Sequence, residues 1–576
     1  MKKLSLLLIL CLLLTSVVGC GGEKAVEAPA EPAAETPADP AADPAAEAEE
    51  KPVASGKFDD GYPENVLRLG LQGELESADV QLTTADYTIP MNIYDCLFEV
   101  QPKDDGSSEI VGNLATDFEV SDDGLVYTMH LREGVKFHNG EILTSDDVLY
   151  TVDRMLNPER MARNSDSMSM LKGFDAAVEG EIPTMEGEGI VIIDDNTFEF
   201  HLTKAFSPFL ANLCVPGFSI YNREAGDAAD EAGGGSDNSQ FGVLPEYTIG
   251  TGAFMMKDWV LNDHIYIEKN PDYWKGPSKL DGILFKIVPD NETRRMMFES
   301  GQLDEFDLDD AREQIPYYME SAEWEDNVII GNRVGTFYYH INESIAPFEN
   351  VLVRKAMQHA IDKQAILDSL YGGAGEVASG ILAPGMMGYN ADLPKLEYDP
   401  DLARELLAEA GYADGFEMTI SQTTDSPNTL SLNEIVQAQL AEFGIEVTID
   451  QMDEASWFDV RRTGALPMYT TSWSADFNDP DNFLYSFFTP ANSLNRSFNY
   501  YNTDAMARVE AARYMLDHDA RMQEYQDLEK LIIQDDAAWI PLFHLKHIWV
   551  VSDRVNNYVP FWAGWSGANY WGVYLD

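Results

Sequence analysis

The sequence predicts a lobed α/β body that carries an additional β-rich unit, and three observations predict it. First, apolar residues alternate at Phe416, Met418 and Ile420, take helical spacing at Leu432, Ile435, Val436, Leu440 and Phe443, and alternate again at Ile445, Val447 and Ile449. Strand, helix and strand within about thirty residues is a βαβ unit, whose strands lie parallel. Second, segment 84–206 holds mainly short alternating runs separated by turn residues, the pattern of a β-rich unit. Third, a chain of 576 residues is too long for one small core and calls for several layers or lobes.

Taken in order, the chain opens with Lys2 and Lys3, an apolar run from Leu4 to Leu14, and then Ser16-Val17-Val18-Gly19-Cys20. A basic head, an apolar segment and small residues before a cut site make a secretory signal, here residues 1–19. The run is shorter than the roughly 20 apolar residues that span a bilayer. Val17-Val18-Gly19-Cys20 resembles the lipobox of bacterial lipoproteins, which implies that Cys20 becomes a lipid-bearing mature N-terminus. Residues 20–56 then read as a tether. Alanine and proline alternate with nine acidic residues, the only bases are Lys24 and Lys51, and aromatics are absent. Such a segment cannot bury enough apolar surface to offset its ordering entropy.

The first folded run, Leu125 to Leu131, alternates Leu125, Tyr127, Met129 and Leu131 onto one face. With the run through Val135 and Phe137 and the Asn139-Gly140 turn, it reads as a hairpin region. Ile190 to Leu202 reads as a second hairpin about Asp194-Asp195-Asn196, and Ala225 to Gln240, rich in Gly, Asp and Ser, as an exposed loop. Val353, Ala356, Met357, Ala360 and Ile361 share a helical face that ends before Gly372-Gly373. Asp399-Pro400 opens another helix, with Leu402, Ala403, Leu406, Leu407 and Ala410 on its stripe and Gly411 closing it.

Composition narrows the function classes. The net charge is −61, and the tether accounts for little of it. So acidic a surface repels nucleic acid and anionic lipid, serves solubility, and favours cationic or zwitterionic small partners. Cys96 and Cys214 remain in the body, as one disulfide or two free thiols. No dinucleotide fingerprint, P-loop, HExxH or Gly-x-Ser-x-Gly elbow occurs. His544 and His547 lie three apart in a strand-like run and so face opposite sides, which argues against a metal pair. No catalytic residue, metal or cofactor is expected.

Four segments in series resemble the family 5 extracellular solute-binding proteins of ABC importers, the oligopeptide, dipeptide and nickel type. They are Leu114 to Gly124 continuing through Leu131 to Val148; Gly250 to Phe254 with Lys269 to Trp274; Asn342 to Phe348 with Val353 to Met357 and Ala360 to Lys363; and Tyr398 to Tyr412. The resemblance implies an α/β, bilobed periplasmic-binding-protein-like fold (type II) with a hinge and an additional β-rich domain. Its expected parts are lobe I from 57–83, 207–335 and 541–576, the β-rich domain from 84–206 and lobe II from 336–540.

One segment bears on the ligand. Thr471 to Pro480 resembles the cleft strand of the peptide-binding members, in which the aspartate three residues after the tryptophan pairs with the peptide's α-ammonium. That position is Asp476, after Trp473. An ammonium stripped of water needs a carboxylate at hydrogen-bond distance, and the backbone of Ser472 and Ser474 is placed to pair with a peptide main chain. The implied function is a substrate-binding lipoprotein that captures short peptides by hinge closure and delivers them to ABC permease subunits. It would act as a monomer anchored by lipid outside the cytoplasm, on the surface of a single-membrane cell. The same fold binding an oligosaccharide or metal chelate is the alternative, in which aromatics such as Trp457, Tyr485, Phe498 and Tyr500 line the cleft, although each taken singly reads as packing. An extracellular hydrolase is the remote alternative.

Overall fold

The computed structural model describes residues 60–83, 87–309, 311–564 and 567–576. The leader, Cys20 and the tether lie outside these residues. Among the described residues no helix is long and apolar enough to cross a membrane.

Three sheets organise the body. The first has four strands in the order Val66–Leu71, Gly282–Ile287, His264–Lys269 and Phe254–Val260, with the chain's first strand parallel to its neighbour. Leu67, Leu69, Ile265, Ile267, Ile283 and Phe285 bury the face that packs against Tyr221, Phe241 and Trp549. The second sheet, in the β-rich unit, runs Ala115–Val120, Val126–Leu131, Thr197–His201 and Ile190–Asp194. Helix Ser145–Leu156 covers it, and its Val148 and Val152 share a core with Tyr127, Met129, Phe198 and Phe200.

The third sheet is built around one long strand, Trp539–Val551. Its first half pairs with Gly335–Ile341, which in turn pairs with Met468–Ser474. Its second half pairs with Val328–Asn332 and Glu305–Asp307. The apolar side chains change core along the way. Ile540, Leu542 and Leu545 join Ile341, Met357 and Ile420, whereas Ile548 and Val550 join Phe306 and Tyr318. This strand and the link from Val328–Asn332 into Gly335–Ile341 therefore run between two separate hydrophobic cores, the placement of a hinge.

The βαβ unit forms as its periodicity requires. Glu417–Thr423 and Glu446–Met452 lie parallel, joined by helix Pro427–Ala441. Asp399 caps helix Pro400–Glu409 by accepting from the Leu402 N–H at 3.0 Å. Three expectations need correction. Val126–Leu131 pairs with Ala115–Val120 and Thr197–His201 rather than with the Val135–Phe137 run, which contributes only a bridge from Lys136 to Ile142. The face shared by Val353 to Ile361 belongs to helix Val351–Ala360, and Asp362 caps a separate helix, Lys363–Tyr371. Much of Ala225 to Gln240 is helix rather than loop, Arg223–Gly233, capped by Asn222. Its small residues are the reason. A Cβ on Gly226 would stand 1.8 Å from the Tyr150 hydroxyl, so the helix sits directly against the core.

Candidate functional site

The Met468–Ser474 strand is the edge of its sheet. Two backbone bonds bracket its ladder: Asn342 N–H to Pro467 O at 2.9 Å, and Ala475 N–H to Val334 O at 2.8 Å. In an antiparallel pair, alternate residues turn their N–H and C=O toward the partner. With odd-numbered residues facing Gly335–Ile341, the backbone groups of Ser472 and Ser474 point away from that partner, to the unpaired edge. Ser472 is exposed. The side chain of Ser474 packs close to Gly335 and Gly564, where a Cβ would meet it at 2.8 and 2.1 Å.

Trp473 and Asp476 are brought together by a residue outside the sequence expectation, Asn482. Helix Asp481–Phe487 starts immediately after Pro480, so Asn482 lies in its first turn, 2% exposed. Its Oδ1 accepts from the Trp473 indole N–H at 2.8 Å and from the Asp476 backbone N–H at 3.2 Å. Its Nδ2 donates to Asp476 Oδ2 at 3.1 Å. The Trp473 ring stands edge-on to Phe487 with centroids 5.1 Å apart. The one sequence signal for this clamp is the Asp479-Pro480-Asp481-Asn482 run, which opens a helix close after the strand.

Asp476 is exposed, and among the described residues it forms no ion pair and leaves Oδ1 without a partner. Protein nevertheless crowds it, as in a cleft. Desolvation raises its carboxyl above the usual range, while the Asn482 amide and the Arg496 charge oppose the rise. Its charge reaches the hydroxyl of Tyr87, which burial pushes up to about 12. Arg496 lies over Phe487 at 4.4 Å and 5.5 Å from the Trp473 ring centroid. The arrangement offers a carboxylate fixed in direction, with one oxygen open, at the end of an unpaired strand edge. Chemically it can accept hydrogen bonds from a cation and pair with an extended main chain.

The other candidates fall elsewhere. Phe498, Tyr500 and Trp457 are 0%, 4% and 8% exposed and belong to cores, and Tyr485 lies under the Arg513 guanidinium at 3.3 Å. Cys96 and Cys214 are free thiols. His544 Nδ1 pairs with the Thr336 hydroxyl, and His547 pairs with Asp309 and Ala563 O.

Comparison with known proteins bears on the family and the fold. The model of the bacterial extracellular solute-binding proteins, family 5 (middle), matches residues 109–495. Heme-binding protein A of Haemophilus influenzae is 31% identical over 486 residues, covering 82% of this chain and 85% of its own. The dipeptide-binding protein of Escherichia coli is 28% identical over 506 residues, covering 85% and 91%. The structure of HbpA2 from Haemophilus parasuis superposes with a TM-score of 0.75 at 26% identity, over 89% of this chain and all of that one.

Proposed function

The chain belongs to the bacterial extracellular solute-binding proteins, family 5, and has their type II periplasmic binding-protein fold; from that premise we propose that it captures short peptides between its lobes. The observation that carries this reading is Asp476, an exposed carboxylate without an ion pair among the described residues, aimed by Asn482 at the end of an unpaired strand edge. A peptide supplies the two complements this arrangement lacks, an α-ammonium for Asp476 and an extended main chain for Ser472 and Ser474. The name of the Escherichia coli relative supports the same ligand class.

In this reading the lobes are 57–83 with 207–335 and 541–576, against 336–540, with 84–206 as the added domain, although Leu542 and Leu545 at the start of the long strand pack into the core of 336–540. Closure about the hinge buries the peptide, which the monomer then passes intact to ABC permease subunits. Cys20 carries the lipid, and the tether supplies reach without recognition. Deleting Ala25 to Ala54 therefore leaves peptide affinity unchanged, and Cys20→Ala releases a binding-competent protein.

Thermal unfolding in the presence of di- to pentapeptides tests the reading. A ligand bound only by the folded state adds RT ln(1 + [L]/Kd) to its stability, so peptides should raise the melting temperature. Protection by hemin, an oligosaccharide or a metal chelate with none from any peptide contradicts the proposal. Recovery of cleaved rather than intact peptide contradicts its non-enzymatic character.

A further inference from the structure

A cavity of about 550 Å3 opens between the hairpin strands Phe98–Pro102 and Ser108–Gly112, the strand Val328–Asn332 and the C-terminal segment 558–562. Two of its lining side chains are large, apolar and open to water: Ile330, 53% exposed, and Val559, 61% exposed. Val100, Phe561 and Trp562 line it as well. A lone exposed apolar residue is ordinary, but several gathered in one concavity mark a surface kept for a ligand.

The acids in the wall are already satisfied. Asp95 accepts from Thr251, Tyr273 and Trp274 at 2.9–3.2 Å. Glu99 is ion-paired with Lys275 at 2.7 Å. Neither is left over for a charged ligand group.

The cavity adjoins the proposed site. The Trp562 carbonyl in its wall accepts from the Val334 N–H, and the Val334 carbonyl accepts from Ala475, the neighbour of Asp476. Asn478, two residues past Asp476, accepts from Ser108 Oγ at 3.1 Å and donates to Gly385 O at 2.8 Å, and both of those residues line the cavity. Wall and carboxylate are thus tied to the same short loop.

We propose, resting on the peptide reading above, that this cavity receives a large apolar side chain of the peptide whose ammonium Asp476 holds. The chain then selects aliphatic and aromatic peptides over polar ones. The preference follows from the apolar area that such a side chain removes from water, enough for at least about tenfold in affinity.

Calorimetric titration with trialanine and its variants tests this, with each position in turn made Gly, Asp, Leu, Phe or Trp. At one position Leu, Phe or Trp should bind at least about tenfold more tightly than Gly or Asp. In Ile330→Asp and in Val559→Asp, both at exposed positions, that ratio should fall to about one, with unchanged circular dichroism reporting an intact fold. Peptides that bind with no dependence on side chain, or a preference that survives in both variants, overturn the inference and leave the peptide reading standing. Failure of every peptide to bind wild-type protein overturns both.

Discussion

Asp476 and Asp479 lie three residues apart in one loop and occupy opposite environments. Asp479 is fully buried and receives both terminal nitrogens of Arg521, at 2.8 and 2.5 Å, while its Oδ1 also caps the Asp481 N–H. Asp476 is exposed, is held by one amide of Asn482, and among the described residues has no cation in an ion pair with it. In the proposed reading the same residue type does two jobs. A buried carboxylate must be paired or it destabilises the fold, so Arg521 completes Asp479 and leaves it nothing to offer. A carboxylate that the protein aims without an ion pair is a functional-site candidate, and that is the role proposed for Asp476. In so acidic a chain, carboxylates alone say little; the presence or absence of a partner separates structure from recognition.

The largest effect should come from breaking the buried member. Asp479→Ala leaves the Arg521 guanidinium buried without its carboxylate, and urea unfolding should show a loss of about 3–5 kcal/mol. Asp476→Ala, at an exposed position, should cost less than about 1 kcal/mol in the same measurement. Equal losses would erase the distinction.

Asn482→Ala comes next. It leaves the Trp473 indole N–H unpaired and releases Asp476 from its orientation, so stability should fall by about 1–3 kcal/mol. Peptide affinity, read by calorimetry, should fall about tenfold. Stability lost with affinity untouched would mean that Asn482 supports the fold but does not aim the carboxylate.

The smallest effect is in pH dependence. The Asp476 carboxyl is raised by desolvation, and only its ionised form pairs with an ammonium. Peptide affinity should therefore be full at neutral pH and decline on acidification, beginning above the ordinary carboxylate range. The same raised carboxyl keeps its proton longer in the folded state than in the unfolded chain, so its own contribution to unliganded stability falls as pH rises through that window. Affinity for peptide and the Asp476 contribution to stability should thus move in opposite directions. Asp476→Asn should remove both dependences.

Much of the fold was legible because its signals are local. The Asp399-Pro400 cap and the alternation on either side of helix Pro427–Ala441 rest on hydrogen bonds and periodicities within a few residues of one another. Where the outcome depended on distant partners, local signals misled. The Arg223–Gly233 helix resembles a loop until Tyr150 is known to need a small residue against it. The partner of Val126–Leu131 was settled by the sheet rather than by the nearest turn. The candidate site divides in the same way. Trp473 and Asp476 stand in a recognisable run, but that Arg496 acts on Asp476 without forming an ion pair with it, and that Asp476 forms no ion pair among the described residues, is a tertiary fact. The apolar cavity was invisible in sequence because its walls come from segments hundreds of residues apart.

Asp476 is proposed to hold the ligand's ammonium, and one titration decides whether it does. Wild-type protein and Asp476→Asn are each titrated with one peptide and its N-acetylated twin. The free peptide should bind wild type at least about tenfold more tightly than the twin, and Asp476→Asn should remove this gap by weakening the free peptide alone, since a hydrogen bond to a charged group contributes about 1.5–3 kcal/mol. Equal weakening of both peptides, or a gap that persists in Asp476→Asn, would contradict it.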